Sequence, residues 1–167
     1  AFFDKRSKFI HYRPRTLVIN NLEFDHADIF DDLAAIQRQF HHLLRCVPGQ
    51  GLVVHPQGSA AVDATLAMGL WTPALSFSAD VQAPADWRAA LTEADGSAFD
   101  VLSEEHAPVA VHWSQCGLHN VENALGAMLA ARHVGVLTDL GMVSPHVQRA
   151  YEGCDLLLLE FNHDLAM

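Results

Sequence analysis

A long stretch with helical periodicity, set between two short apolar runs, constrains the fold most. The runs, TLVINN at 16–21 and LVVH at 52–55, have the length and composition of buried strands. Between them, apolar residues recur at spacings of four, three, four, three and four, as on one face of an α-helix: Ile29, Leu33, Ile36, Phe40, Leu43 and Val47. Because a strand, a helix and a strand alternate in this order, the sequence predicts an α/β layer architecture.

The middle of the chain adds an antiparallel part to this pattern. VDATLAMGLW at 62–71 predicts a short helix. Residues 72–113 contain short apolar runs with turn signals between them, including Asp95-Gly96. We therefore expect an antiparallel excursion beside a mostly parallel sheet.

The last third of the chain predicts a long helix and a compact βαβ unit. An Ala-rich helix is expected over about 120–134, with Asn120 as its N-cap. A second helix is expected to begin at Ser144-Pro145, and the run LLLL at 156–159 has the composition of a buried parallel strand.

Charge and cysteine content narrow the functional classes. The 167 residues carry a formal net charge of −10, which argues against nucleic acid or an anionic membrane surface as a general partner. An acidic protein that binds phosphate needs a local device, such as a helix N-terminus or Mg²⁺. The three cysteines are widely spaced and form no CxxC pair, which fits a reducing compartment. No apolar run in the sequence is long enough to cross a membrane.

Carboxylates and one histidine crowd the segment after the first predicted strand. The cluster consists of Glu23, Asp25, His26 and Asp28. Asp25 is a suitable helix N-cap with Asp28 in the capping-box position, and Asp32 is expected on a solvated face. Ligands bind at the carboxyl ends of strands in open α/β sheets, and oxygen and imidazole donors suit Mg²⁺ or Mn²⁺. Because acids in a first helical turn also complement the helix dipole without a metal, both interpretations stand.

A second polar cluster lies at the start of the Ala-rich helix. It consists of Gly117, His119, Asn120 and Asn123. A glycine followed by polar side chains at a helix N-terminus can receive a nucleotide base or a phosphate. Ordinary capping by Asn120, with Asn123 exposed one turn later, explains the same residues equally well.

Candidate charged ligands also lie near both ends of the chain. The N-terminal segment FFDKRSKFIHYRPR contains the basic residues Lys5, Arg6, Lys8, His11, Arg13 and Arg15. They could hold an anionic substrate, or form a charged surface loop anchored by aromatic residues. Asp139 in TDLG and His163 in EFNHD are candidate metal ligands or turn residues. Neither GxSxG nor GxxxxGK(S/T) occurs in the 167 residues.

Three long motifs give the chain a resemblance to a known family. They are FFDKRSKF, NNLEFDHADIFDDL and GLHNVENALGAMLAARHVGV, and they are similar to the middle domain of the Mur ligases over about residues 1–136. The resemblance implies a partial central, ATP-binding domain with a mostly parallel sheet flanked by helices. Within the family, the chain most resembles the cytoplasmic ligases of peptidoglycan recycling. These ligases join UDP-N-acetylmuramate to the murein tripeptide L-alanyl-γ-D-glutamyl-meso-diaminopimelate. In such ligases ATP phosphorylates the carboxylate, the tripeptide amine attacks the acyl phosphate, and Mg²⁺ offsets the phosphoryl charge.

The resemblance also implies roles for single residues. The DH motif of the family falls on Asp25 and His26. His26 would help to hold Mg²⁺, and Glu23 in the same motif is a second candidate metal ligand. The HNxxN motif would contact the nucleotide around adenine and ribose, and it falls on His119, Asn120 and Asn123.

Other parts of the family's machinery are absent from these 167 residues. The phosphate loop, its acidic metal motif, and the UDP-binding and C-terminal domains have no counterpart here, so no complete catalytic set is expected. We therefore predict that the chain alone is inactive, with a non-catalytic nucleotide-binding remnant as the alternative. The candidates for binding the anionic substrate are Lys5, Arg6 and Lys8.

Residues 137–167 depart from the family and resemble metallo-β-lactamase-fold hydrolases. There, Asp139 would bridge a pair of metal ions, Zn²⁺ or Mn²⁺, although the HxHxDH motif that supplies the other ligands does not occur in this chain. A metal-dependent hydrolase is thus a third interpretation. The chain begins without Met, and we expect a fragment that joins two incomplete proteins near HVGVL. The βαβ tail is a candidate to complete the sheet that contains residues 16–21.

Overall fold

The structure, a computed structural model, describes residues 11–23, 30, 32–138 and 156–160, which form helices and strands in alternation. The strands are β1 Thr16–Val18, β2 Leu52–Pro56, β3 Ala74–Ser78, β4 Trp87–Leu91, β5 Ala98–Ser103, β6 Val109–His112, β7 Val134–Thr138 and β8 Leu156–Glu160. The helices are α1 Leu33–Leu44, α2 Ala60–Ala67 and α3 Leu118–His133. In this described part of the chain, no helix combines the length and the apolar content that a membrane span requires.

Six strands form one mixed sheet in the order β1-β2-β3-β4-β5-β6. The helices α1 and α2 are the crossovers that return the chain to the same end of the sheet, so that β1, β2 and β3 pair parallel. β4 also pairs parallel with β3, whereas β4, β5 and β6 pair antiparallel. The predicted fold class is confirmed, and the antiparallel pairing is confined to residues 87–112 within the expected range 72–113.

The alternation of side chains along β2 divides the core into two layers. Val53 belongs to the cluster beneath α1 and α2, together with Ile36 and Val62. Leu52 and Val54 point the other way and belong to the cluster beneath α3. The further buried members of that second cluster are Phe77, Ala89, Phe99, Val101, Val121, Leu125 and Leu129. Because helices cover both faces of the parallel strands, polar groups are left to the strand ends and the helix termini.

The helix α1 begins later than the acidic segment predicts. Its N-cap is Asp32, whose carboxylate accepts a 2.6 Å hydrogen bond from the Ala35 amide. The cap of α1 is therefore not Asp25, as predicted, but Asp32, which is also exposed to solvent, as expected. Residues 24–29 lie outside the described part. Several acids in this segment are competent caps, so the start is decided by where the packed face of α1, which includes Ile36, meets the sheet.

The C-terminal strands form a separate unit. β7 and β8 pair parallel in a two-stranded sheet, as expected for a βαβ unit, while the predicted helix at 144–153 lies outside the described residues. The expectation that this tail completes the sheet of β1 is wrong, because β8 pairs with β7 and not with the six-stranded sheet. β7 follows directly from α3 in the chain. The assignment of 137–167 to a metallo-β-lactamase-like fragment stays a prediction.

Candidate functional site

The start of α3 is held by the turn between β4 and β5. The Gly117 amide donates to the Asp95 carbonyl at 2.6 Å, and the indole Nε1 of Trp113 donates to the Gly96 carbonyl at 2.8 Å. Gly96 has a φ of 82°, and a Cβ there would lie 3.1 Å from Cγ2 of Val121 on α3. The predicted turn at Asp95-Gly96 is therefore present, and glycine permits both its backbone conformation and its contact with the helix.

Asn120 lies in the first turn of α3 rather than at its N-cap. The helix begins at Leu118, directly after Gly117, whose φ of 98° lets the chain turn into it. The Asn120 side chain donates from Nδ2 to the Cys116 carbonyl at 2.8 Å. This bond ties the amide to the preceding loop and leaves its Oδ1 as the acceptor that Asn120 can offer to a ligand.

The ring of His119 lies over Gly117. A Cβ at position 117 would come within 2.8 Å of Cε1 and 2.9 Å of Nδ1 of that ring, so any side chain there would displace it. His119 is otherwise exposed to solvent. The glycine of this cluster therefore provides space for the histidine, in addition to the backbone conformation that begins the helix.

Asn123 contacts a side chain that is distant in the sequence. Alternation along β1 buries Ile19 in the cluster beneath α1 and directs Asn20 to the face that α3 covers. There, Nδ2 of Asn20 donates a hydrogen bond to Oδ1 of Asn123. Asn123 is thereby placed at the carboxyl end of β1, where ligands bind in open α/β sheets. Asn20 is not among the candidates predicted from the sequence, although the alternation of side chains along β1 indicates the face on which it lies.

Glu23 is the candidate metal ligand that falls within the described residues. It is exposed, and its Oε1 accepts a 3.3 Å hydrogen bond from Asn21 Nδ2. An exposed carboxylate beyond the end of β1 fits Mg²⁺, which takes oxygen donors. Among the residues that the structure describes, no three His, Cys, Asp or Glu side chains cluster as a metal site, and His26 and Asp139 lie outside that part.

The remaining candidates stay predictions. The substrate-binding candidates Lys5, Arg6 and Lys8 lie outside the described residues, as does His163. Within the described residues, the structure brings together four polar residues from two distant parts of the sequence. They are Asn20, His119, Asn120 and Asn123.

The loop before α3 also carries an exposed thiol beside a carboxylate. Sγ of Cys116 lies 3.6 Å from Oδ2 of Asp95. The negative charge of Asp95 raises the pKa of the Cys116 thiol, because a thiolate there would face a like charge. Hydrogen bonds from the side chain and the amide of Ser97 lower the pKa of Asp95. Cys116 is thus poorly suited to act as a nucleophile, since nucleophilic cysteines have a lowered pKa.

A cleft of about 350 Å³ lies at the paired ends of β4 and β5, apart from these residues. It is lined by Leu75, Pro84, Ala85, Asp86, Trp87, Arg88, Ser103, Glu104 and Glu105. The Nε atom of Arg88 is buried without a hydrogen-bond partner. Three carboxylates beside one guanidinium indicate no particular ligand class, and none of the residues predicted from the sequence lines the cleft.

Comparison with known proteins agrees with this arrangement. The model of the Mur ligase middle domain matches residues 3–131. The UDP-N-acetylmuramate–L-alanyl-γ-D-glutamyl-meso-2,6-diaminoheptandioate ligases of Escherichia coli (strain K12) and Haemophilus influenzae are 54% and 48% identical over 136 residues, which is 81% of this chain and 29% of each relative. The crystal structure of a murein peptide ligase from Psychrobacter arcticus 273-4 has a TM-score of 0.69 and 50% identity, covering 79% of this chain and 26% of that one.

The matched relatives are much longer than this chain. It spans less than a third of the length of the Escherichia coli and Haemophilus influenzae ligases. The matched region contains the six-stranded sheet, α1 and α2, and nearly all of α3 with its HNxxN motif. The resemblance found in the sequence is confirmed: the chain belongs to the Mur ligase family and carries part of its middle domain.

Proposed function

We propose that this chain is the nucleotide-binding part of a ligase that joins UDP-N-acetylmuramate to L-alanyl-γ-D-glutamyl-meso-diaminopimelate at the expense of ATP. The observation that carries the proposal is the HNxxN helix, in which hydrogen bonds orient two amides. The Asn120 amide is bonded to the loop before α3, and the Asn123 amide is bonded to Asn20, beyond the carboxyl end of β1. The names and the identity of the relatives from Escherichia coli and Haemophilus influenzae support the substrate class. A cytoplasmic location follows from the same proposal.

The polar groups of the α3 start suit a nucleotide base and sugar. Asn120 offers an acceptor, Oδ1, and Asn123 offers a donor, Nδ2, because their other polar atoms are bonded within the protein. A base with an amino group beside a ring nitrogen needs this combination of acceptor and donor. The exposed ring of His119, held over Gly117, supplies a flat surface and a further hydrogen-bonding group for the same ligand.

Glu23 and His26 would hold Mg²⁺ in the proposed site. When bound, the ion would neutralise the charge of the phosphates, which a chain with a net charge of −10 otherwise repels. Glu23 follows the same strand end that carries Asn20, so the base-binding and metal-binding groups approach the nucleotide from one edge of the sheet. Lys5, Arg6 and Lys8 are proposed to attract the anionic substrate.

The proposed reaction has two steps, for which these 167 residues supply only part of the machinery. A carboxylate oxygen of UDP-N-acetylmuramate attacks the γ-phosphorus of ATP, and ADP leaves. The tripeptide amine then attacks the acyl carbon, loses a proton, and inorganic phosphate leaves. Because phosphoryl transfer depends on positioning and charge stabilisation, and no GxxxxGK(S/T) sequence is present, we propose that the 167-residue polypeptide binds nucleotide without turnover.

Titration calorimetry of the purified 167-residue polypeptide with ATP and Mg²⁺ tests the proposal. We expect measurable binding that weakens about two- to tenfold in Asn120→Ala and in Asn123→Ala, since each removes one hydrogen-bonding amide. Gln50→Ala is the matched control, because this exposed residue lies in the turn before β2, at the opposite end of the sheet. A flat wild-type titration would overturn nucleotide binding, and product formed from UDP-N-acetylmuramate and the tripeptide would overturn the proposed inactivity.

A further inference from the structure

We infer that Asn20 is a positioning residue, which fixes the amide of Asn123 in the orientation that a nucleotide base requires. This inference rests on the proposed function and assigns a role to a residue outside the HNxxN motif. Asn20 and Asn123 are separated by 103 positions in the sequence, and they meet because β1 ends beneath the second turn of α3.

The hydrogen bond between the two side chains selects one of two amide orientations. Asn123 has an oxygen and a nitrogen at the two ends of one planar group, and a half-turn of that group exchanges them. Asn20 donates through Nδ2, so its partner must present Oδ1. The bond therefore holds Nδ2 of Asn123 on the side away from Asn20.

Gly126 provides the space that this contact needs. It is one turn beyond Asn123 on the same face of α3, and a Cβ there would come 2.9 Å from Oδ1 of Asn20 and 3.4 Å from the ring of Phe77. Asn20 therefore lies along the helix, with its nitrogen at Asn123 and its oxygen against Gly126. A larger residue at 126 would push Asn20 away from α3 without altering any polar group of the site.

The two HNxxN amides are thus oriented in opposite senses. Asn120 is fixed through its Nδ2 by the Cys116 carbonyl, and Asn123 is fixed through its Oδ1 by Asn20. One amide presents an acceptor and the other a donor, three residues apart on the same helix. Loss of Asn20 would leave Asn123 free to rotate, so the site would pay an ordering cost when the base binds.

Two variants test the inference in the 167-residue polypeptide. Asn20→Asp is isosteric but can only accept, so it favours the reversed orientation of Asn123. Gly126→Ala removes the space for Asn20, adds no charge and favours the helix by its own propensity. The charge-matched control is Gln50→Glu, in the exposed turn at the other end of the sheet.

The first measurement is the side-chain amide region of the ¹⁵N–¹H spectrum without nucleotide. We expect the NH₂ signals of Asn20 to shift in Asn123→Ala, and those of Asn123 to shift in Asn20→Asp, while Gln50→Glu changes neither. Asn20 signals that are the same with and without the Asn123 side chain would overturn the inference, whether or not the chain binds nucleotide.

The second measurement compares ATP with inorganic triphosphate, both with Mg²⁺. We expect Asn20→Asp to weaken ATP binding about tenfold and Gly126→Ala about threefold, in the range of one lost or misoriented hydrogen bond. Gly126→Ala should leave triphosphate binding within about twofold, since triphosphate has no base for Asn123 to meet. ATP binding that is equally tight in the wild type and both variants would overturn the positioning role alone, whereas a wild type that binds no ATP would overturn the proposed function.

Discussion

Gly51 lies in the turn between α1 and β2, against the backbone that leads into β1. A Cβ at this position would come 2.3 Å from the carbonyl oxygen of Arg15 and 3.0 Å from Cγ1 of Val47. The same Arg15 oxygen accepts a 2.8 Å hydrogen bond from the Leu52 amide, next to the first paired residues of β1 and β2. Gly51→Ala must therefore displace the backbone that leads into β1.

Two contributions set the expected size of the effect. Overpacking at a closely packed position costs about 1–3 kcal/mol, and loss of the hydrogen bond between Leu52 and Arg15 adds about 1 kcal/mol. We expect Gly51→Ala to lower the free energy of unfolding by about 2–4 kcal/mol, a large share of the stability of an ordinary domain. In Gly49→Ala, the matched control, the nearest atom to the new Cβ is the Trp71 carbonyl oxygen at 3.7 Å, an ordinary contact. That variant should stay within about 0.5 kcal/mol of the wild type.

Urea unfolding followed by tryptophan fluorescence measures the difference. The chain has three tryptophans, at positions 71, 87 and 113, which report on the fold without labelling. The unfolding midpoint should fall for Gly51→Ala at an unchanged slope, because the surface exposed on unfolding is the same. Equal midpoints for Gly51→Ala and wild type, or an equal fall for Gly49→Ala, would refute the reasoning from close approach.

Three further perturbations follow from single contacts. Asp32→Ala should lower the free energy of unfolding by about 1 kcal/mol, because the Ala35 amide loses its hydrogen-bond acceptor. Urea unfolding followed by circular dichroism measures this change, and an unshifted midpoint would contradict the capping role of Asp32. Asp95→Asn should lower the pKa of Cys116 and speed its alkylation by iodoacetamide at pH 8, and an unchanged profile of rate against pH would contradict the charge effect. Leu125→Ala, fully buried beneath α3, should cost about 2–5 kcal/mol in a urea titration, and a loss below 1 kcal/mol would contradict its place in the core.

Local sequence patterns predicted most of the elements but not all of their starts. The hairpin turn at Asp95-Gly96 was predictable because the dipeptide has few other uses between apolar runs. The start of α1 was not, since Asp25 and Asp32 are equally competent caps and only the packing of Ile36 against the sheet selects one. The same limit applies to Asn120, which resembles an N-cap in sequence but lies inside the first turn because the helix begins at Leu118, directly after the turn at Gly117.

The sequence by itself determined the α/β class, the family and the position of the HNxxN motif, because these depend on periodicity and on residues that are close together along the chain. The tertiary structure decided which distant groups meet. Asn20 reaches Asn123 only because β1 ends beneath α3, and β8 pairs with β7, 22 positions earlier at the first paired residues Val134 and Leu156, rather than with a strand of the larger sheet. Such contacts depend on how whole helices and strands are placed relative to one another, and a pattern of neighbouring residues does not specify that placement.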